Sequence, residues 1–252
     1  MILCNSDEDL EKEAHYLDVL IGEQVGGVFI TPADEESTSI AAAIRANVPV
    51  VTVDRRLKGV DVDSVLVDNG RAAREAVHHL VDNGAERVAV VTGDARTTTA
   101  RERVEGASSA LEQRGLSLPA EFIVTASTTG RGAYEATLEL LRKRVRPDAI
   151  FATNNQVAAG ALRAIAAADI AMPEELLFVS FDELPLAELI GAGVSAVAQP
   201  TYEMGVRAAD LLLSRLNGNA RPPQEVLLSG TLQVRGTSVR ELGSQDGRRE
   251  RG

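Results

Sequence analysis

Short runs of apolar and β-branched residues alternate along this chain with longer amphipathic stretches. The runs VPVVTVD from Val48 and RVAVVTG from Arg87 are apolar through most of their length, which is typical of strands buried on both faces of a parallel sheet. Between them, Ala73, Val77 and Leu80 recur at helical spacing. This alternation predicts right-handed strand–helix–strand units and a doubly wound, parallel-sheet α/β fold.

The number of candidate strands bears on domain organisation. About nine strands are more than one open sheet of this kind would hold at this chain length, so we expect two smaller lobes. Residues 2–4 (ILC) are expected to end a strand, with Ser6 or Asp7 capping the helix that follows. The other candidate strands begin at Gly26, Val48, Ser64, Arg87, Glu121, Asp148, Leu176, Val194 and Thr231.

Charge and composition exclude several classes of protein. The net charge of −11 argues against direct nucleic-acid binding by this chain. The two dense basic runs, within 142–146 and 248–251, are expected to end a helix and to lie in a tail. No apolar run approaches the ~20 residues of a membrane-spanning helix, so no membrane partner is expected. The sequence shows no secretory leader, and its single cysteine, Cys4, suits a reducing compartment. We therefore expect a cytoplasmic protein.

Polar residues directly follow several predicted strands, at the sheet edge where ligands bind in open parallel sheets. Asp54 ends the run VVTVD, Asp182 ends FVSFD, and Asn154 and Asn155 follow IFAT. Arg103, early in a predicted helix, is a candidate for a fixed guanidinium that donates two hydrogen bonds to a ligand. The alternative is that the Asp and Asn residues form turns or helix caps and that Arg103 is solvated.

Motifs that carry enzymatic chemistry are missing from the sequence. There is no phosphate-binding GxxxxGK[ST] loop, and GRGAYE from Gly130 lacks the third glycine of a dinucleotide fingerprint. His78 and His79 are adjacent, so a helix would turn them about 100° apart, away from a shared metal. No serine lies in a GxSxG turn. We expect a binding protein without cofactor or metal ion, not an enzyme.

Several segments together resemble the effector-binding core of LacI/GalR-family bacterial transcription regulators, over roughly residues 2–240. The stretch VLVDNGRAAREAVHHLVDNGAERVAVVTG is similar to the family's usual VxxDNxxGAxxAxxHLxxxGHxxIxxxxG. The segments GGVFITPAD and VPVVTVDR before it, and RERVEGASSAL, FATNNQVAAGALRAI, FVSFDELPLA, VAQPTYEMGVRAADLLL and LQVRGTS after it, follow in the family's order.

The resemblance implies a two-lobed core, built like a periplasmic sugar-binding protein, that closes on a small effector. One lobe would hold residues 1–68 and 200–228, the other residues 69–198 and 230–240, with a disordered tail over 241–252. A sugar or polyol is the expected effector, because hydroxyls donate and accept hydrogen bonds at once, and a purine is the alternative. The implied ligand-binding residues are Asp54, Arg103, Ser127, Asn154, Asn155 and Asp182.

Two of these positions depart from the family's pattern. Asn155 stands where the family very often has Asp, which removes a charge near the cleft. Ser127 stands where some members place a large aromatic residue against the ligand. Since sugar sites usually include one ring for stacking, these departures bear on which effector is bound.

The resemblance also implies partners for the core. The family's helix-turn-helix head, hinge helix and first strand have no counterpart here, so operator DNA would be bound only through such a head. We expect a homodimeric regulator, in the role of a repressor, and an isolated chain that is destabilised by the missing strand. A solute-binding protein of a sugar transporter, with the same fold, is the alternative function.

Overall fold

The computed structural model describes most of the chain. The predicted site residue Ser127 and the predicted tail over 241–252 lie outside the described part. No helix within it is long and apolar enough to cross a membrane. The described residues are 1–36, 39–94, 96–126, 130–185 and 193–240.

These residues form seven α-helices and ten strands. The helices are α1 (Leu10–Gly22), α2 (Ile40–Arg45), α3 (Asn69–Asp82), α4 (Thr98–Gln113), α5 (Gly130–Leu141), α6 (Asn155–Ala167) and α7 (Thr201–Leu216). The strands are β1 (Val28–Ile30), β2 (Val50–Val53), β3 (Asp63–Val67), β4 (Val88–Thr92), β5 (Ile123–Thr125), β6 (Ala149–Ala152), β7 (Leu177–Phe181), β8 (Ser195–Ala198), β9 (Glu225–Leu228) and β10 (Thr231–Gln233).

The strands are arranged in two sheets, as the strand count predicts. The first sheet has the order β1-β2-β3-β9 and is parallel throughout. The second has the order β10-β8-β7-β6-β4-β5, and within it β10 pairs with β8 in the antiparallel direction, unlike the parallel edge that the sequence predicts. The chain passes between the sheets three times, after β3, after β8 and after β9.

Both faces of the second sheet are covered by helices, which explains its continuous apolar strands. Val88 and Val90 of β4 pack in one cluster with Ala73 of α3. The intervening Val91 packs in a second cluster with Leu140 of α5. Because successive side chains of a strand point to opposite faces, burial on both faces requires apolar residues at consecutive positions.

The predicted opening strand is wrong. Residues 2–4 form no strand, and the side chains of Ile2 and Leu3 are exposed. In the described part of the chain no strand lies beside them to take up their backbone hydrogen bonds, which an extended segment needs to become part of a sheet. Neither Ser6 nor Asp7 caps α1; the Asp9 carboxylate does so, accepting from the amides of Glu11 and Lys12.

Two elements have no counterpart in the sequence-based prediction. Strand β9 alternates exposed and half-buried residues and pairs with β3 at the edge of the first sheet. Its apolar run, residues 226–228, is only three residues long, which is too short to stand out as a strand in the sequence. Helix α2 is only six residues long, too short to display an amphipathic period.

Helices α3 and α4 pack with their backbones in close contact at Gly106. A Cβ atom added at Gly106 would collide with the Gly70 carbonyl oxygen and lie 3.0 Å from the Cβ of Ala73. Gly205, in α7, has no atom within 4 Å of the corresponding position and is exposed. The two glycines therefore occupy opposite environments within helices.

We predict that Gly106→Ala lowers the free energy of unfolding by about 1–3 kcal/mol, because two helices would have to move apart. Gly205→Ala is the matched control and should raise it by up to about 1 kcal/mol, since alanine favours a helix where nothing obstructs it. Urea unfolding of both variants measures the difference. An equal gain in stability at the two positions would contradict the close packing.

Asp63 is the first residue of β3, and its contacts stabilise the amino-terminal end of that strand in the first sheet. Its buried carboxylate accepts from Arg215 Nε at 2.8 Å, from Arg221 Nη1 at 2.7 Å and from the Gln224 amide at 2.8 Å. Burial acts to raise the pKa of Asp63, but the bonds from Arg215, Arg221 and Gln224 outweigh it and lower the pKa to about 2.

A lowered carboxyl pKa gives stability that is complete above the unfolded pKa of 3.8 and is lost as pH falls towards about 2. We predict that Asp63→Asn costs about 2 kcal/mol at pH 7 and removes the loss of stability between those two pH values. Asp61→Asn, an exposed neighbour, should change stability by less than about 0.5 kcal/mol. Acid-unfolding curves test this; parallel curves for wild type and Asp63→Asn would refute it.

Candidate functional site

A cavity of about 510 Å³ lies where the carboxyl ends of strands from both sheets face each other. This volume is in the range of small-molecule binding sites. Asp54 follows β2 of the first sheet, and Asp182 follows β7 of the second. All five sequence-predicted site residues within the described ranges line this one cavity: Asp54, Arg103, Asn154, Asn155 and Asp182.

Arg103 is a buried charge at the floor of the cavity. Arg103 belongs to helix α4. The Arg103 Nε donates to Asn69 Oδ1 at 2.8 Å, and Nη1 donates to the Thr153 carbonyl oxygen at 2.7 Å. The guanidinium carbon lies 3.6 Å from the ring centroid of Phe181, which is itself buried. Two hydrogen bonds and a ring face hold the group in one orientation.

Two carboxylates flank this guanidinium without forming hydrogen bonds to it. Arg103 Nη2 lies 4.0 Å from Asp54 Oδ1, and Arg103 Nη1 lies 3.8 Å from Asp182 Oδ2. Both distances exceed hydrogen-bond length, so the attraction is electrostatic and the carboxylate lone pairs stay available. Asp54 Oδ1 is buried and has no hydrogen-bond partner among the described residues.

Burial is the largest influence on the pKa values of Asp182 and Arg103. It raises the pKa of Asp182 above its usual range, although the charge of Arg103 and a hydrogen bond from Gln199 Nε2 at 2.5 Å act in the opposite direction. It also lowers the pKa of Arg103, against the attraction of Asp182 and Asp54. The folded protein therefore holds ionised groups here at a cost, which is typical of a functional site.

The backbone is strained at both carboxylates. Asp54 has a φ of 69° and Asp182 a φ of 70°, in the left-handed region that residues other than glycine rarely adopt. Each residue still donates its amide in the sheet ladder, to Val65 and Val197 respectively, and then turns sharply. Such conformations cluster at ligand sites, because the surrounding structure must maintain them for a purpose other than stability.

Asn154 serves as a helix cap and also lines the cavity. Its Oδ1 accepts from the amide of Val157, so the side chain caps α6, as the alternative interpretation of the sequence proposes. Its Nδ2 lies against the Gly93 backbone at the cavity wall: a Cβ atom at Gly93 would lie 3.3 Å from it. Asn155, the first residue of α6, is half-buried beside it.

Several lining residues were not among the predicted site residues. Gln199 and Asp94 follow β8 and β4, and carry the same sequence signal as Asp54 and Asp182. Asp7 and Glu8 reach the cavity from the segment before α1, where the sequence suggests only a helix cap. Their position depends on the tertiary arrangement, and no local pattern reveals it.

The chain is similar to a known domain family and to bacterial regulators. A model of the periplasmic binding protein-like domain family matches residues 77–238. The ribose operon repressor of Escherichia coli (strain K12) is 29% identical over 241 residues, which cover 94% of this chain and 72% of that protein. A LacI family transcriptional regulator from Enterococcus faecium, solved with bound ribose, superimposes with a TM-score of 0.83 at 26% identity, covering 94% of this chain and 87% of that one.

A second solved structure, the transcriptional regulator CelR in complex with cellobiose, gives a TM-score of 0.84 at 28% identity and covers 90% of this chain and 70% of that one. Two largely parallel sheets around a polar cavity define an α/β small-molecule binding protein, and the chain belongs to the periplasmic binding protein-like domain family. More narrowly, it is the effector-binding core of a LacI-type transcriptional regulator, and not an enzyme.

The raised pKa of Asp182 predicts a pH dependence opposite to that of Asp63. A carboxyl whose folded pKa lies above its unfolded value costs stability at neutral pH, and the cost disappears as pH falls and the group takes up a proton. We predict that Asp182→Asn is at least as stable as wild type at pH 7 and that any advantage shrinks towards pH 4. Urea unfolding at the two pH values measures this. A variant less stable than wild type by more than about 1 kcal/mol at pH 7 would contradict it.

Proposed function

We propose that the cavity binds a sugar or related polyol as the effector of the regulator, with Asp54, Arg103, Asn154, Asn155 and Asp182 as binding residues. The observation that carries the proposal is Asp54 Oδ1, a buried carboxylate oxygen without a partner among the described residues. Leaving such an atom unsatisfied costs about 1–3 kcal/mol, which a hydroxyl donor from a ligand would offset.

The arrangement of donors and acceptors supports a ligand with vicinal hydroxyls. Asp54 approaches Nη2 of the Arg103 guanidinium at 4.0 Å and Asp182 approaches Nη1 at 3.8 Å, both just beyond hydrogen-bond length. Neighbouring hydroxyls can donate to the two carboxylates and accept from the amides of Asn154 or Asn155. The relatives solved with ribose and with cellobiose are consistent with a sugar in this position.

The described lining favours a polyol over a purine. Its sixteen residues include no aromatic side chain; the Phe181 ring packs beneath Arg103 instead of facing the cavity. A flat base gains much of its affinity from stacking against a ring. A sugar can instead obtain its affinity from hydrogen bonds to charged groups, of which this cavity has many.

The arrangement in two sheets suggests how effector binding could change the affinity of the regulator for DNA. We propose that residues 1–68 with 200–228, and residues 69–198 with 230–240, act as two lobes and that the effector holds them closed. In a homodimer, closure would change the spacing of two DNA-reading heads and so the affinity for a palindromic operator. Sedimentation of the chain would test the dimer: a monomer at micromolar concentration would remove this core as the source of dimerisation.

Effector binding is tested by thermal unfolding with D-ribose, D-glucose, cellobiose, xylitol and hypoxanthine. A ligand at 100 times its Kd stabilises the folded state by about 2.7 kcal/mol, which gives a clear rise in Tm. We predict that a sugar or xylitol raises Tm and that Asp54→Asn weakens its binding by about 10- to 100-fold, because hydrogen bonds to a charged acceptor are lost.

The matched control is Asp61→Asn, which removes the same charge from an exposed position outside the cavity and should bind as wild type does. Arg103→Lys tests the planar donor in the same assay, with the exposed Arg131→Lys as its control. Unchanged affinity in Asp54→Asn and Arg103→Lys would remove these residues from the site. Stabilisation by hypoxanthine alone would overturn the polyol in favour of a base.

A further inference from the structure

The side chains that line the cavity carry more negative than positive charge. Besides Asp54 and Asp182, three carboxylates outside the predicted site reach the cavity: Asp7, Glu8 and Asp94. The cations in the lining are Arg55 and Arg103. Carboxylates therefore outnumber guanidinium groups five to two around a single ligand site.

The three additional carboxylates form a rim that neighbouring cations neutralise only in part. Asp7 pairs with Lys12 at 3.1 Å and Asp94 with Arg96 at 2.7 Å, but neither Lys12 nor Arg96 lines the cavity, and both are at least half exposed. Surface cations in water screen weakly and move easily.

Hydrogen bonds from Arg96 lower the pKa of Asp94, so this rim carboxylate is ionised at neutral pH. Glu8 pairs with Arg55 and so offsets part of the charge of that lining cation, although Arg55 Nε has no hydrogen-bond partner among the described residues. The rim, defined here as Asp7, Glu8 and Asp94, thus contributes negative potential at the cavity mouth.

The Arg103 guanidinium on the floor gives an approaching anion little compensating attraction. Arg103 has already committed Nε and Nη1 to Asn69 and Thr153, and each of its flanks faces a carboxylate within about 4 Å. An anionic group that approached Nη2 would lie near both carboxylates in a partly desolvated cavity, where like charges repel strongly. A hydroxyl or an ammonium group meets no such repulsion.

We propose that the cavity selects its ligand by charge: it accepts neutral and amino-substituted polyols and rejects their phosphorylated or carboxylated forms, with Asp7, Glu8 and Asp94 as specificity-determining residues. This inference rests on the proposed function and refines it to the non-phosphorylated form of the effector. Specificity of this kind uses repulsion of the wrong ligand as well as attraction of the right one.

Calorimetric titration of matched ligands tests the selection. The first series is D-glucose, D-glucosamine and D-glucose 6-phosphate, and the second is D-ribose and D-ribose 5-phosphate. In whichever series the parent sugar binds, we expect the phosphate ester to bind at least tenfold more weakly and the amino sugar to bind at least as tightly. A phosphate ester that binds as tightly as its parent overturns the inference and leaves the polyol site standing.

The rim is tested by the triple variant Asp7→Asn/Glu8→Gln/Asp94→Asn, which should reduce the discrimination against the phosphate ester at least fivefold. Its control, Asp61→Asn/Asp169→Asn/Glu174→Gln, removes the same charge from exposed positions outside the cavity and should leave the ratio unchanged. Equal ratios in wild type and the rim variant would show that these three residues do not determine specificity.

Inorganic phosphate is a probe that needs no sugar. Amide resonances of the cavity should not shift saturably in wild type with millimolar phosphate, whereas saturable shifts centred on Arg103 would overturn the inference. If no sugar, amino sugar or polyol binds while phosphate is also rejected, the proposed function fails and the charge inference loses its ligand with it.

Discussion

The buried guanidinium of Arg103 is the group on which the rest of the site depends. It is bonded to Asn69 and to the Thr153 backbone, and not to the carboxylates of Asp54 and Asp182 that it partly neutralises. Two acidic groups can therefore remain in a partly desolvated cavity with lone pairs that Arg103 does not use, although Asp182 Oδ1 accepts from Gln199. The backbone strain at both aspartates and the raised pKa of Asp182 are costs of this arrangement, which a site for hydroxyl-rich ligands would justify.

Helix α4 connects this group to the first sheet through three consecutive residues. Arg101 pairs with buried Glu35 and Glu102 with Arg56, while Arg103 faces Asp54. The three contacts reach the segments after β1 and after β2, so α4 links the second sheet to the carboxyl ends of two strands of the first. The position of α4 in turn depends on the α3–α4 contact at Gly106, where only a hydrogen allows the backbones to meet. Local packing thus controls the geometry of a site that belongs to both sheets.

Much of this architecture could be predicted from sequence, for identifiable reasons. Buried parallel strands require consecutive apolar residues, so β4, β6 and β7 are evident, and the polar residues after them fall at one sheet edge. Strand β9 could not be recognised because its apolar run, residues 226–228, is only three residues long, and residues 2–4 are apolar yet unpaired. The ionic partners of Arg103 and the rim residues Asp7 and Glu8 depend on contacts between distant segments, which no local pattern encodes.

The central claim is that Asp54 and Asp182 are acceptors reserved for ligand hydroxyls. Carboxyl carbon NMR of the aspartates, followed through a pH titration with and without a bound sugar, tests it most directly. The account predicts that Asp182 titrates above its usual range in the free protein and that a bound polyol lowers its pKa, because hydroxyl donors favour the ionised form. A sugar that binds tightly while the resonances of both carboxyls stay unchanged would contradict the account.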